Sequence, residues 1–248
     1  MMMTLLHKTS NSLIDTSHTP NWPQRLATLG EEASDERLKS FYATASVLPD
    51  TPLKDVPFVA LDFETTGLDP HSDEIISIGL VPFSLSRIHC RGSAHWVVNP
   101  NRPLNEESVI IHGITDSDVE KAPELLKVIE QVLAALAGKI VVVHYRNIER
   151  EFMNQALLTR LGEGIQFPVV DTLAIEAGVQ QKMFGGFFNR LKGKKPGSVR
   201  LGRARERYNL PAYQPHHALT DALATAELLQ AQIAYHYSPE TPISEIWL

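Results

Sequence analysis

Cysteine is almost missing from this chain: Cys90 is the only one in 248 residues. That excludes an internal disulfide framework and any multi-cysteine metal site, and it fits a reducing compartment. No window approaches eighteen consecutive apolar residues, so no membrane-spanning helix is expected. The opening MMMTLLHKTSNSLID lacks the apolar stretch and small-residue cleavage site of a secretory signal, and a cytoplasmic location is expected. There is no internal repeat and no long low-complexity tract. The remaining composition is that of an ordinary soluble protein, 43% hydrophobic and 21% charged with 14 Gly and 16 Pro. It is long enough for one large domain, or for one domain with an extension.

The net charge of -6 argues at first against a nucleic-acid partner, but the charge is unevenly spread. Between Lys182 and Arg207 nine Lys and Arg face Glu206 alone, a local +8 that leaves -14 on the rest. One basic segment on an acidic body can bind phosphate locally while the protein stays soluble. The segment also holds Phe184, Phe187 and Phe188, and exposed aromatics can stack bases. A solvated charged loop would look the same.

Along the chain, residues 1–55 read as an N-terminal extension, partly helical or disordered. A short helix is expected from Pro23 to Leu29, ended by Gly30, and a second from Ala33 to Ala45 with Leu38, Phe41 and Tyr42 as its apolar stripe. Pro49, Pro52 and Pro57 then mark a linker. From Val56 the pattern becomes three strands followed by alternating helix and strand. Phe58 to Leu61 is a strand buried on both faces, with Ile75 to Val81 and Ala94 to Val98 as antiparallel partners. Pro123 opens and Gly138 closes a helix. Ile140 to Val143 is another buried strand, Asn147 to Leu161 a helix stopped by Gly162, Val169-Val170 a short fifth strand, and Ala218 to Tyr235 a last helix. This order implies an α/β domain, a mixed sheet flanked by helices, over residues 56–236. Residues 237–248 form a C-terminal tail apolar enough to dock.

The acids fall at the ends of the buried strands. Asp62 and Glu64 in LDFETTG are two apart on a strand and therefore point to one face. Such a pair repels and resists desolvation, and it persists cheaply only if a cation neutralises it. Thr65-Thr66-Gly67 makes a tight turn whose backbone N–H groups could meet a substrate oxygen. His144 ends the next buried strand, where taken alone it reads as a structural hydrogen-bonder. Glu149 lies in the following helix's first turn, and alone it is explained by the helix dipole. Asp221 has the same position in the last helix, with His216 in the loop before it. Each signal is weak singly, but all lie at ends of elements of one sheet.

Together, D-x-E-T-T-G after a buried strand, an I-H-G-I-T segment, an apolar strand ending in His with an acid five residues on, and H-x-A-L-x-D-A resemble the DEDDh class of 3′–5′ exonucleases, and especially the proofreading epsilon subunit of bacterial replicative DNA polymerase. The resemblance spans roughly residues 56 to 236. It implies a ribonuclease-H-like fold, a mixed five-stranded sheet with helices around it. It also implies that Asp62, Glu64, Asp221 and Glu149 hold two divalent cations, Mg²⁺ or Mn²⁺, and that His216 is the general base. Thr65 and His112 would then lie beside the 3′-terminal nucleotides. Asp62 would bridge both ions, Glu64 and Asp221 would complete the first, and Glu149 would support the second. Oxygen ligands without cysteine suit magnesium, and an imidazole can exchange a proton near neutral pH.

One departure matters. The family's middle motif reads H-N-x-x-F-D, and here His144-Tyr145-Arg146-Asn147-Ile148-Glu149 places Glu where Asp is expected. The same charge sits on a stem one methylene longer, and activity is expected to survive. The implied reaction is two-metal hydrolysis of DNA from its 3′ end, single-stranded ends first, releasing nucleoside monophosphates. Two alternatives stay open: an oligoribonuclease-like enzyme acting on RNA or short oligonucleotides, and a catalytically weakened polymerase accessory or end-binding module. Gln180-Gln181-Lys182-Met183-Phe184 loosely resembles the pentapeptide with which replication proteins dock on a sliding clamp, which makes a clamp or polymerase a candidate partner.

Overall fold

The structure, a computed structural model, describes residues 13–100, 113–184 and 196–248. His112, Phe187 and Phe188 lie outside the described residues. A five-stranded sheet has the order β3-β2-β1-β4-β5. Its strands are β1 (Phe58–Thr65), β2 (Ile75–Phe83), β3 (Ala94–Val97), β4 (Ile140–Val143) and β5 (Val169–Asp171). The first three form an antiparallel meander, while β4 and β5 run parallel to β1. The mixed sheet with flanking helices matches the expected architecture.

β1 lies at the centre and is covered on both sides, which is why it reads as a near-continuous apolar run. Val59, Leu61 and Phe63 join one core with α4 (Ile129–Leu136) and α5 (Arg146–Leu161). Phe58 and Ala60 join the other with α6 (Thr172–Phe184) and α8 (Ala218–His236). By strand alternation Asp62 and Glu64 belong to this second face, the face that α8 covers.

Gly79 decides how closely α8 comes. It pairs with Asp62 across β1 and β2. A Cβ built there would lie 2.2 Å from the Ala218 carbonyl carbon and 2.4 Å from the Leu219 nitrogen. Only glycine lets the first turn of α8 rest on the sheet at that point, bringing Asp221 to the end of β1.

The N-terminal elements differ from expectation. α1 spans Trp22–Glu32 and runs through Gly30, which does not end it, while Asn21 caps its start. Gly30 serves instead as a helix contact, with its Cβ position 3.2 Å from the Tyr42 Cβ on α2 (Glu36–Ala43). α2 starts later than expected because Asp35 caps it. Pro52 does not mark a free linker. It bridges to Pro242, and Leu53 donates to Thr241 O at 2.9 Å. The tail docks along β5, where Leu248 N–H donates to Val169 O at 2.8 Å and Trp247 is buried. Trp22 and Trp247 share the second core, so both ends of the described chain pack on the same domain.

Pro123 opens a 3-10 turn over Leu125–Lys127 rather than an α-helix, and α4 begins only at Ile129. Among the described residues, three helices went unread in the sequence: α3 (Asp116–Glu120), α6 and α7 (Leu201–Arg207). α6 carries Glu176 and Gln180 on its buried side with Ile175 and Val179, which blurs the apolar stripe. It also holds Gln180 to Phe184 as helix. Gln180 is buried and donates to Glu176 Oε1 at 3.1 Å, so the clamp-like pentapeptide does not offer its glutamine to a partner.

Candidate active site

Carboxylate oxygens of Asp62, Glu64 and Asp221 all lie within 4.8 Å of one another. β1 supplies the first two from one face and the first turn of α8 supplies the third. Glu149, in the first turn of α5, is buried at 3% exposure and its Oε2 has no hydrogen-bond partner. Burial, followed by the charges of Glu149, Asp221 and Glu64, pushes the Asp62 carboxyl well above its ordinary range. Burial pushes Glu149 up as well, against the pull of its own backbone N–H and with a further push from Asp171. Asp221 is raised by burial first, although the His216 backbone N–H opposes this. Four carboxylates that repel one another, one with an orphaned buried oxygen and no cysteine nearby, fit hard divalent cations as ligands.

Thr65 and Thr66 follow directly. The β1–β2 register shifts between Glu64 and Thr65, a bulge that turns the chain at the strand's end. Thr66 Oγ1 donates to Asp73 Oδ1 at 3.0 Å, and Thr65 Oγ1 donates to the Gly67 carbonyl.

His216 is exposed and has φ +68°, a left-handed conformation that histidine tolerates better than most side chains. Its backbone N–H donates to Asp221 Oδ2 at 2.8 Å. The next residue, His217, caps α8 by accepting from Thr220 N–H at 3.4 Å. Its ring centroid lies 4.8 Å from that of His95, whose Nε2 meets Ser77 Oγ at 2.8 Å. Capping by His217 therefore fixes the turn that presents His216. His216 stands between two hollows. One, of about 500 Å³, includes Glu64, His95 and Gly113. The other, of about 700 Å³, includes Asp62, Asp221, Arg200 and Tyr213.

His144 has the structural place that its position suggested. Nδ1 meets Thr172 Oγ1 at 2.8 Å, and Nε2 donates to Val199 O at 3.0 Å. Burial pushes its pKa down to about 4 against the opposing influence of Asp171, the Val199 carbonyl and Glu176. Asp171 went unnoticed in the sequence. Its buried carboxylate accepts from the N–H groups of Tyr145, Arg146 and Leu173 at 3.0–3.2 Å, tying the starts of α5 and α6 to the end of β5. It thereby holds Tyr145 at φ +93° and sets where Glu149 begins its turn. Gly79 was missed too, though a lone glycine inside an apolar strand is a signal of close backbone approach.

Fold and site together define the class: an α/β nuclease fold with an acidic centre at the end of the middle strand. The RNase_T exonuclease family profile matches residues 59–229, and the chain belongs to that family. It is 30% identical to the DNA polymerase III subunit epsilon of Treponema pallidum over 73% of this chain and 78% of that one. It is 32% identical to the PolC-type DNA polymerase III of Thermotoga maritima over 72% of this chain, and it spans only 12% of that relative's length. Among solved structures, the nuclease domain of 3′hExo, a DEDDh family member bound to rAMP, aligns at TM-score 0.57 and 19% identity, covering 77% of this chain and 96% of that one. The Escherichia coli ExoI–ssDNA complex aligns at TM-score 0.60 and 14% identity, covering 73% of this chain and 41% of that one.

Proposed function

We propose that this protein is a metal-dependent 3′–5′ exonuclease that releases nucleoside monophosphates from DNA, with single-stranded ends as its substrate. The observation that carries the reading is the Asp62, Glu64 and Asp221 cluster, with Glu149 buried beside it and lacking a partner for one oxygen. Those four residues would hold two divalent cations, Mg²⁺ or Mn²⁺, which supply an activated water and charge stabilisation for the leaving alkoxide. An imidazole nitrogen of His216 takes the proton of the attacking water. Its left-handed backbone and its N–H bond to Asp221 hold the ring at the mouth of the centre. The Thr65 backbone positions the terminal nucleotide where β1 bulges. Glu149 is not part of the three-carboxylate cluster, and it would reach the second cation from α5 on its longer stem.

Family membership and the epsilon subunit's name support the exonuclease reading and favour DNA. A DNA polymerase is the partner that the relatives' names support, since the epsilon and PolC-type proteins are named for one. The buried Gln180 argues for a contact elsewhere than the clamp-like pentapeptide.

The test is a degradation assay with 5′-labelled single-stranded DNA, duplex DNA and RNA, in Mg²⁺, Mn²⁺ or chelator. The expected result is a ladder shortening from the 3′ end of single-stranded DNA, abolished by chelator. His216→Ala is expected to slow it by roughly 10²–10⁴-fold, the usual range for a general base. A faster ladder on RNA would move the substrate to RNA. Binding without shortening of any substrate would make the protein an end-binding module.

A further inference from the structure

A strand of nucleic acid approaching four carboxylates needs compensating positive charge nearby, and the larger hollow supplies it. It runs from Asp62 and Asp221 past His216 to Arg200, Arg203 and Tyr213, a groove of about 700 Å³. Arg200 and Arg203 are exposed at the start of α7. Arg203 Nη1 shares its charge with Glu206 Oε2 at 2.7 Å, an exposed pair that costs little to rearrange.

Tyr213 is built differently. Its hydroxyl donates to Glu227 Oε1 at 2.9 Å, and the Arg205 guanidinium carbon lies 4.6 Å from its ring centre. Arg205 is itself anchored. It donates to Ala224 O at 2.6 Å, Pro211 O at 2.8 Å and Glu227 Oε2 at 2.7 Å. Its Nε is buried without a hydrogen-bond partner, so the guanidinium is held in place by these bonds and by the ring. Here Tyr213 remains 37% exposed while it lines the groove, a rigid aromatic platform. An arginine-lined track with a fixed aromatic is the chemistry of single-strand binding, because a stacking platform needs a base face that a duplex keeps covered.

We propose that this groove is the path by which single-stranded nucleic acid enters the acidic centre, with Arg200 and Arg203 against its backbone phosphates and Tyr213 stacked on one of its bases. The proposal rests on reading the acidic centre as a phosphodiester-cleaving site. Duplex ends enter only after fraying.

The experiment compares steady-state cleavage of a 15-nucleotide single strand with that of a chromogenic nucleoside 5′-phosphodiester, in Mn²⁺ at several salt concentrations. In the double variant Arg200→Gln, Arg203→Gln, KM for the strand is expected to rise about tenfold. The salt slope of log KM is expected to flatten by roughly 1.4, about 0.7 for each lost phosphate contact. The double variant Arg200→Lys, Arg203→Lys keeps the charge and retains the slope. Tyr213→Ala raises KM about tenfold with the slope intact, and Tyr213→Phe stays close to the parent. An unchanged KM and slope in the glutamine variant overturns the proposal. So does an equal loss on the chromogenic substrate, since the arginines would then act on the centre and not on the strand. If the parent protein cleaves neither substrate, the reading of the acidic centre fails and the groove proposal falls with it.

Discussion

The two halves of α8 serve two buried acid clusters that the protein treats in opposite ways. Toward its C-terminal half, Gln232 donates to Glu176 Oε2 at 3.3 Å, joining Tyr208 at 3.0 Å, Gln180 at 3.1 Å and the Arg207 guanidinium at 2.8 Å. Burial pushes Glu176 up, but the Gln180 bond, the Arg207 charge and the Tyr208 bond outweigh it and hold the carboxyl below its ordinary value. At the N-terminal turn, Asp221 joins Asp62 and Glu64, and on top of burial the neighbouring carboxylates push the Asp62 carboxyl further up, while the His216 N–H opposes the rise at Asp221. Burial raises carboxyls in both clusters; at Glu176 the surrounding donors outweigh it, whereas at Asp62 neighbouring carboxylates add to it. A buried acid that holds the scaffold together is surrounded by donors. A buried acid set among other carboxylates is the kind of group that a cation from outside would neutralise.

The comparison is broken or sharpened by substitution. Asp62→Asn should lower turnover on a labelled oligonucleotide by at least about 10³-fold, several kcal/mol of lost charge stabilisation at roughly 1.4 kcal/mol per tenfold. The same change should raise the melting temperature of the metal-free protein near neutral pH, because Asn removes the cost of taking up a proton on the buried Asp62 carboxyl when the chain folds. A destabilised Asp62→Asn protein would place Asp62 in the scaffold class.

Glu176→Ala should do the reverse. It leaves Tyr208, Gln180 and Gln232 donors without their acceptor and should cost about 3 kcal/mol in denaturant unfolding, while kcat of the folded fraction stays near the parent's. Gly79→Ala pushes the first turn of α8 off the sheet, and a misplacement of about 1 Å should cost roughly 10²-fold in kcat/KM.

The pH dependence of stability divides the same way, measured by calorimetry in chelator. Asp62 and Glu149 keep protons in the folded metal-free protein that the unfolded chain has already released above their ordinary values of 3.8 and 4.5. Their contribution therefore falls as pH rises above about 4, and Glu149→Gln should flatten that fall. Glu176 has the opposite sign: its contribution is present above 4.5 and is lost as pH drops through its lowered folded value. His144, pushed from 6.5 down to about 4, adds stability that is complete above 6.5 and lost between 6.5 and 4. Full protonation across that window costs on the order of 3 kcal/mol.

The strands and the acids were legible in the sequence for a simple reason. Alternation along β1 sends Asp62 and Glu64 to one face whatever packs there, and the short length and β-branched composition of Ile140–Val143, just after Gly138, favour a buried strand. The last helix was legible from its start, where His216 precedes it and Asp221 lies in its first turn. The scaffold cluster was not, because its parts come from α6, α7 and α8, and a polar residue on a helix does not announce whether it faces inward. The lone Gly79 in ISIGLVPF signals a close backbone approach, but it does not tell that a helix turn from far along the chain makes it. The role of Asp171 depends on two helix starts meeting one strand end, which is a property of the sheet order and not of any local pattern.

The central claim, that the Asp62 centre is kept for a divalent cation, is tested most directly by the melting temperature of the protein in a Mn²⁺ titration beside Asp62→Asn. The account predicts a rise for the parent protein that grows with the logarithm of Mn²⁺ concentration above its Kd, and a much smaller rise for the variant. Equal shifts in the two proteins, or none in either, would contradict it.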